Sequence, residues 1–252
     1  SMVPSDAAPY GVPSPDSSAN RGGFTLINRV GRWLGVRPGK QPVVTLSLIA
    51  ICVAVAFVEL LTQKVGSTLI FAPILGYVQP YRFLGSTLLH AGFWHLLFNT
   101  YALWLVGSIL EPILGRVRFL SIYLLSAIAG NIAVLLTADP SGQSWIRPTV
   151  GASVAVFGVF GALFVLQRHF GSDATSLLGI IVANLALGFI PGMNISWQSH
   201  VGGLVMGGAL MALMAVGRAG LTKRQQRIRD TLTMLVAERA STAARAALSA
   251  MT

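Results

Sequence analysis

A chain of 252 residues with 54% hydrophobic and only 10% charged side chains is not built like a water-soluble domain, where about a quarter carry charge. The formal net charge of +10 raises nucleic acid as a partner. The basic residues crowd the tails, however, where anionic lipid headgroups are the natural counter-charge, so a bilayer is expected and nucleic acid is not. The one cysteine, Cys52, lies midway along an apolar run, which excludes a disulfide framework and a cysteine-built metal site and reads as inert packing.

Ser1 ahead of Met2 has the look of an expression scar and is set aside. Residues 1–23, rich in Pro, Ser, Gly and Asp, are expected to lack a fold. No cleavable signal peptide is expected, because the first long apolar run begins only near Val43. Residues 24–42 set Arg29, Arg32, Arg37 and Lys40 among Phe24, Leu26, Ile27 and Trp33, the composition of a segment lying on a bilayer surface. The domain reading is therefore a disordered and basic 1–42, a six-helix body over 43–217, and a basic tail over 218–252.

Six apolar runs make up the body, at about 43–62, 93–111, 118–137, 151–167, 175–190 and 200–217. A spanning helix takes roughly 20 apolar residues, with a range of about 17–25. Five runs approach that length, and the fourth, opened by Ser153, reads as the shortest. A short span either thins the bilayer locally or begins below its surface, where its free N–H groups meet protein or water. Six spans put both tails on one side, together with the 112–117 and 168–174 connections. Of the 18 Lys and Arg residues, all but Lys64, Arg82 and Arg147 fall there. The positive-inside rule makes that side the cytoplasm. The fold class is thus an all-α membrane protein of six transmembrane helices.

Two further segments are amphipathic. The 63–92 connection is too long for a turn and too apolar for a solvated loop, with Leu69, Ile70, Phe71, Tyr77, Tyr81 and Phe83 broken by Pro73 and Pro80. It is expected to sit half-embedded in the outer leaflet, anchored by its tyrosines and Arg82. Residues 221–247 set Ile228, Leu232, Leu235 and Val236 at helical spacing against Lys223, Arg224, Arg227 and Arg229, a helix for the inner surface.

With this topology the second, fourth and sixth runs all point from outside inward, and each carries polar residues in its first turns. The second opens through His90 into His95 and Asn99, the fourth with Ser153, the sixth with His200. His95 and Asn99 are four apart and share one face. Polar groups inside a membrane segment are costly and mark function by default. A serine hydroxyl becomes a nucleophile when a base takes its proton, and histidine is the usual base near neutral pH. The tetrahedral intermediate then needs donors, which the Ser153 N–H, the Asn99 amide and the His95 imidazole could supply. Asp139 is the one acid near these helix heads, so a Ser153–His200 dyad is expected rather than a triad. Gly203 and Gly207 form a small-residue stripe on the sixth run, with Gly158, Gly161 and Ala162 available on the fourth, of the kind that lets helices approach closely in lipid.

Taken together these residues resemble the rhomboid family of intramembrane serine proteases, over roughly 43–217. The likeness lies in Gly151-Ala152-Ser153, in the pair His95 and Asn99, and in His200 followed by Gly203 and Gly207. His90, Tyr81-Arg82 and Glu111 resemble further family positions. The resemblance implies a rhomboid-like bundle with a water-filled cavity open to the outside and a half-embedded first extracellular loop. It also implies Ser153 and His200 as the catalytic pair, His95 and Asn99 as oxyanion donors, and supporting roles for Gly151, Phe157 and His90. Phe157, one turn past the serine, stands where the family often packs an aromatic on the histidine. Single-span or membrane-anchored proteins would be cut near the outer end of their spans at the plasma membrane, with no cofactor and no metal. Val154 departs from the glycine that usually follows the nucleophile, which raises the question of room at the oxyanion site.

Two other readings use the same residues. One is a catalytically silent rhomboid-like scaffold that binds membrane proteins, for which Val154 is the support. The other is a metal-dependent protease or transporter built on His90, His95 and His200, which lacks an acidic ligand. Met193 and Trp197 belong to a lid or simply anchor at the interface. Asn194-Ile195-Ser196 fits a glycosylation acceptor on a loop that hugs the membrane. No oligomeric state follows from the sequence.

Overall fold

The computed structural model describes residues 41–62, 64–190 and 195–217. The expectations for residues 1–40, for the tail from 218 and for Met193 and Asn194 lie outside the described residues. The chain opens with α1 (Val43–Thr62), followed by a connection that folds into three short helices. These are α2 (Lys64–Leu69), α3 (Pro73–Val78) and α4 (Arg82–Gly85), with a tight helical turn at Ser86–Leu88. Then come α5 (Phe93–Leu114), α6 (Arg116–Thr137), α7 (Ser153–His169) and α8 (Thr175–Leu187), and last α9 (Trp197–Gly217). Among the described residues, the β pairing is one isolated antiparallel bridge between Phe71 and Thr149.

Helices α1, α5, α6 and α9 are long and apolar enough to cross a membrane, whereas α7 and α8 have 17 and 13 residues. The fifth run, expected to reach 190, is therefore the shortest of the six, not the fourth. Gly188 caps it, and Pro191 follows shortly after and disfavours helix in the residue before it. The connection expected over 112–117 shrinks to Gly115 alone, whose φ of 83° lets α6 begin at once.

α7 is the central element. Every residue from Val154 to Leu163 is buried, the mark of a helix enclosed on all sides. It packs on α5, α6 and α8, while α1 lies along α5. Large apolar side chains instead point outward from the surrounding helices, including Phe57, Leu60, Phe98, Leu136, Leu213 and Val216. A contiguous apolar surface of this kind suits hydrocarbon rather than water.

Glycines decide how closely α9 meets its neighbours. A side chain on Gly207 would run into the Gly158 carbonyl, and one on Gly203 into the Val154 carbonyl. One on Gly202 would come within 2.9 Å of the Gly130 Cα on α6. In lipid, helix association rests on such close packing because there is no water to expel. The seams draw the first turns of α7 and α9 together. At the far end, Glu111 of α5 is buried and accepts from the backbone N–H of Val44 (2.9 Å) and of Thr45 (2.8 Å) and from Thr45 Oγ1 (2.8 Å). It satisfies the free N–H groups that open α1, where the helix dipole favours a negative charge.

Candidate active site

The lead-in to α7 is held by the first connection. Thr149 and Phe71 exchange backbone hydrogen bonds of 2.7 and 3.4 Å, and the Gly151 N–H donates to the Ser86 carbonyl at 3.0 Å. Ser86 is fixed in turn by Asn131 of α6, whose Nδ2 donates to Ser86 Oγ (3.1 Å) and to the Phe83 carbonyl (2.8 Å). Arg82 ties the connection internally, donating to the carbonyls of Ser67 (3.0 Å) and Ile70 (2.8 Å) and to Gln79 Oε1 (2.6 Å). Arg82 and Glu111 are thus structural hydrogen-bonders. Gly151 has φ of 124°, and a Cβ there would stand 2.7 Å from the His95 ring. No other residue fits this conformation and this approach.

Ser153 opens α7, and His200 lies in the first turn of α9. Their Oγ and Nε2 atoms are 3.0 Å apart. The His200 ring lies flat on Phe157, with centroids 4.3 Å apart and planes 12° from parallel, so its rotation is restricted. Nδ1 of His200 is buried and has no partner among the described residues. Ser199, also buried, closes the turn before it by donating to the Ser196 carbonyl at 2.7 Å.

His95 completes the cluster. The Ala91 N–H donates to His95 Nδ1 at 3.1 Å, so the neutral ring carries its proton on Nε2. A Cβ built on Gly151 would lie 3.0 Å from that Nε2 and 3.4 Å from Ser153 Oγ. The ring N–H and the hydroxyl therefore flank the same point. Asn99, one turn on, is buried and directs Nδ2 to the His95 carbonyl at 2.8 Å. His90 meets the His95 ring edge-on at 5.4 Å. Burial, and then the neighbouring His95, push its pKa down to about 4.

Val154 does not enter this space. Its side chain is buried against Gly130 of α6 and Gly203 of α9, so the larger residue is taken up by the helix seam. Trp197 stacks on Phe189 with centroids 5.4 Å apart. The Asp139 carboxylate accepts from Ser141 N–H and Oγ, which lower its pKa, and it is fully exposed. Among the described residues no three His, Cys, Asp or Glu side chains gather as a metal-binding group. Sequence reasoning missed Asn131, Ser86 and Ser199. The first was legible as an amide inside an apolar run, while the serines carry no distinguishing pattern.

This arrangement can be compared with known proteins. The rhomboid domain model matches residues 77–217, more than half of the chain. The chain belongs to the rhomboid family. It is 37% identical over 145 residues to the rhomboid protease GluP of Bacillus subtilis, covering 56% of this chain and 27% of that one. It is 31% identical over 155 residues to mitochondrial rhomboid protein 1 of Saccharomyces cerevisiae, covering 58% and 44%. Rhomboid-type serine protease 2 of Emericella nidulans matches at 36% over 141 residues, covering 52% and 26%. The chain thus spans less than half the length of each of these relatives. A rhomboid built on these apolar helices is a multi-pass membrane protein of a protease family.

Proposed function

We propose that this rhomboid is an intramembrane serine endopeptidase that cuts single-span or membrane-anchored proteins with a Ser153–His200 dyad. The observation that carries this reading is the 3.0 Å contact between Ser153 Oγ and His200 Nε2, made between two different helices. Ser153 Oγ attacks the scissile carbonyl carbon as His200 Nε2 takes the hydroxyl proton. The oxyanion meets the Ser153 N–H, which has no partner within its helix, together with His95 Nε2–H and the Asn99 amide. Collapse expels the amine, which receives the proton from His200; water, giving its proton to His200, then attacks the acyl carbon, and the Ser153 oxygen leaves as His200 returns that proton to it. Phe157 takes the orienting role that a carboxylate has in a triad.

The four long apolar helices and the shorter α7 and α8 all cross the bilayer in this reading, with both tails in the cytoplasm and the dyad opening outward at the plasma membrane. Exposed Ile74, Tyr77, Val78 and Tyr81 support a first connection half-embedded in the outer leaflet. The test is labelling with a fluorophosphonate in bicelles. Covalent attachment at Ser153, lost in Ser153→Ala, is the expected result; a folded protein that takes no label is the silent scaffold instead.

A further inference from the structure

Asn131 of α6 is fully buried, in a stretch that is otherwise Ala, Ile, Gly and Val over residues 127–134. The residue before it locks α6 onto both helices of the dyad. A side chain on Gly130 would collide with Val154 of α7 and with the Ser199 carbonyl at the start of α9. Both hydrogens of the Asn131 amide go to the first connection, Nδ2 donating to the Phe83 carbonyl at 2.8 Å and to Ser86 Oγ at 3.1 Å. A carbonyl oxygen can only accept, so Phe83 fixes how the amide is turned. Oδ1 is left buried without a partner among the described residues. An amide that only glued the bundle would bond another long helix. This one bonds the segment whose Ser86 carbonyl receives the Gly151 N–H at 3.0 Å.

We propose that Asn131 is a positioning residue for the reaction: by way of Ser86 it sets where the Gly151 peptide lies, and so how the Ser153 hydroxyl and N–H stand against His95. The inference rests on the protease reading above. Gly151 is the narrow point of the site, since a Cβ there would stand 2.7 Å from the His95 ring and 3.4 Å from Ser153 Oγ. A small shift of this peptide therefore changes the gap between the hydroxyl and the ring N–H directly. Misplacement by about 1 Å costs roughly a hundredfold in rate. The Phe71–Thr149 bridge holds the same lead-in two residues earlier, so losing Asn131 loosens the peptide without freeing it. Asn131 acts through these bonds and not on the substrate.

The experiment uses the full chain in bicelles with two readouts, each per folded molecule: kcat and KM on a single-span reporter, and the rate at which Ser153 takes a fluorophosphonate. Asn131→Leu keeps the bulk of the side chain and removes both donors. It should lower kcat and the labelling rate about ten- to hundredfold, with KM near wild type. Ser86→Ala removes one acceptor and should lower both rates in the same direction. The double variant should be no slower than Asn131→Leu, because the two act through one contact. Glu111→Ala, which loosens the far end of the bundle, should leave both rates unchanged. Wild-type rates in folded Asn131→Leu, or single effects that multiply in the double variant, overturn the proposal. So does a loss confined to the thermal midpoint, which makes Asn131 structural only. Should Asn131→Leu not fold, Ser86→Ala decides alone: slower labelling supports the relay and wild-type labelling overturns it. Failure of the protease reading is distinct, because the wild type itself then cuts no reporter and takes no label.

Discussion

Two polar positions on α5, Glu111 near one end and the His95–Asn99 pair near the other, are held in opposite ways. At one end Glu111 receives three hydrogen bonds of 2.8–2.9 Å from the first turn of α1. At the other, Asn99 directs one amide hydrogen onto its own helix, and among the described residues His95 is engaged through Nδ1. Across from them, His200 keeps a buried Nδ1 without a partner among the described residues. A buried polar group left unpaired is costly and calls for a reason. The satisfied end holds the helices together. In the protease reading proposed above, the other end keeps hydrogen-bonding capacity for an atom that arrives only during reaction.

Substitutions at the two ends should separate these roles. The largest effect belongs to His200→Ala, expected to lower reporter cleavage by roughly 10⁴-fold or more while the thermal midpoint stays near wild type. Comparable cleavage by His200→Ala would remove the dyad. If Asn99 serves the oxyanion as proposed, Asn99→Ala should lower kcat about 10²–10³-fold, with KM little changed. Glu111→Ala should do the reverse, reducing stability by about 2–3 kcal/mol by stranding the α1 donors. Activity per folded molecule should survive that change, and a loss of turnover at full stability would blur the distinction between the ends.

The smallest effect is a pH dependence at His90. Its folded pKa is depressed to about 4, whereas an exposed histidine titrates near 6.5. Between those values the unfolded chain binds the additional proton, so stability falls as pH drops through the window. Unfolding midpoints measured from about pH 7 to pH 4 should decline, and His90→Leu should remove part of the slope. An identical slope in that variant would show that the ring titrates in contact with water.

Much of this was legible before any coordinates. Apolar runs of spanning length are imposed by the bilayer itself, so most helix positions could be read directly, and Ser153 and His200, paired from the sequence, lie 3.0 Å apart in the fold. Gly203 and Gly207 announced a close contact because lipid rewards little else. The first connection was harder, since its cohesion comes from Arg82 finding carbonyls 12 and 15 residues away, and carbonyls look alike in every sequence. The extent of α8 was misjudged because apolar content continues past the point where Gly188 and Pro191 stop the helix.

By itself, then, the sequence determined which segments prefer hydrocarbon and which residue types could perform acyl transfer, because both follow from local chemistry. Tertiary structure alone decided that Val154 packs into the Gly130 notch, that Asn131 and Ser86 hold Gly151, and that Ala91 sets the proton of His95. Those outcomes depend on distances between segments far apart in the chain, and helix packing at glycine seams is what sets such distances.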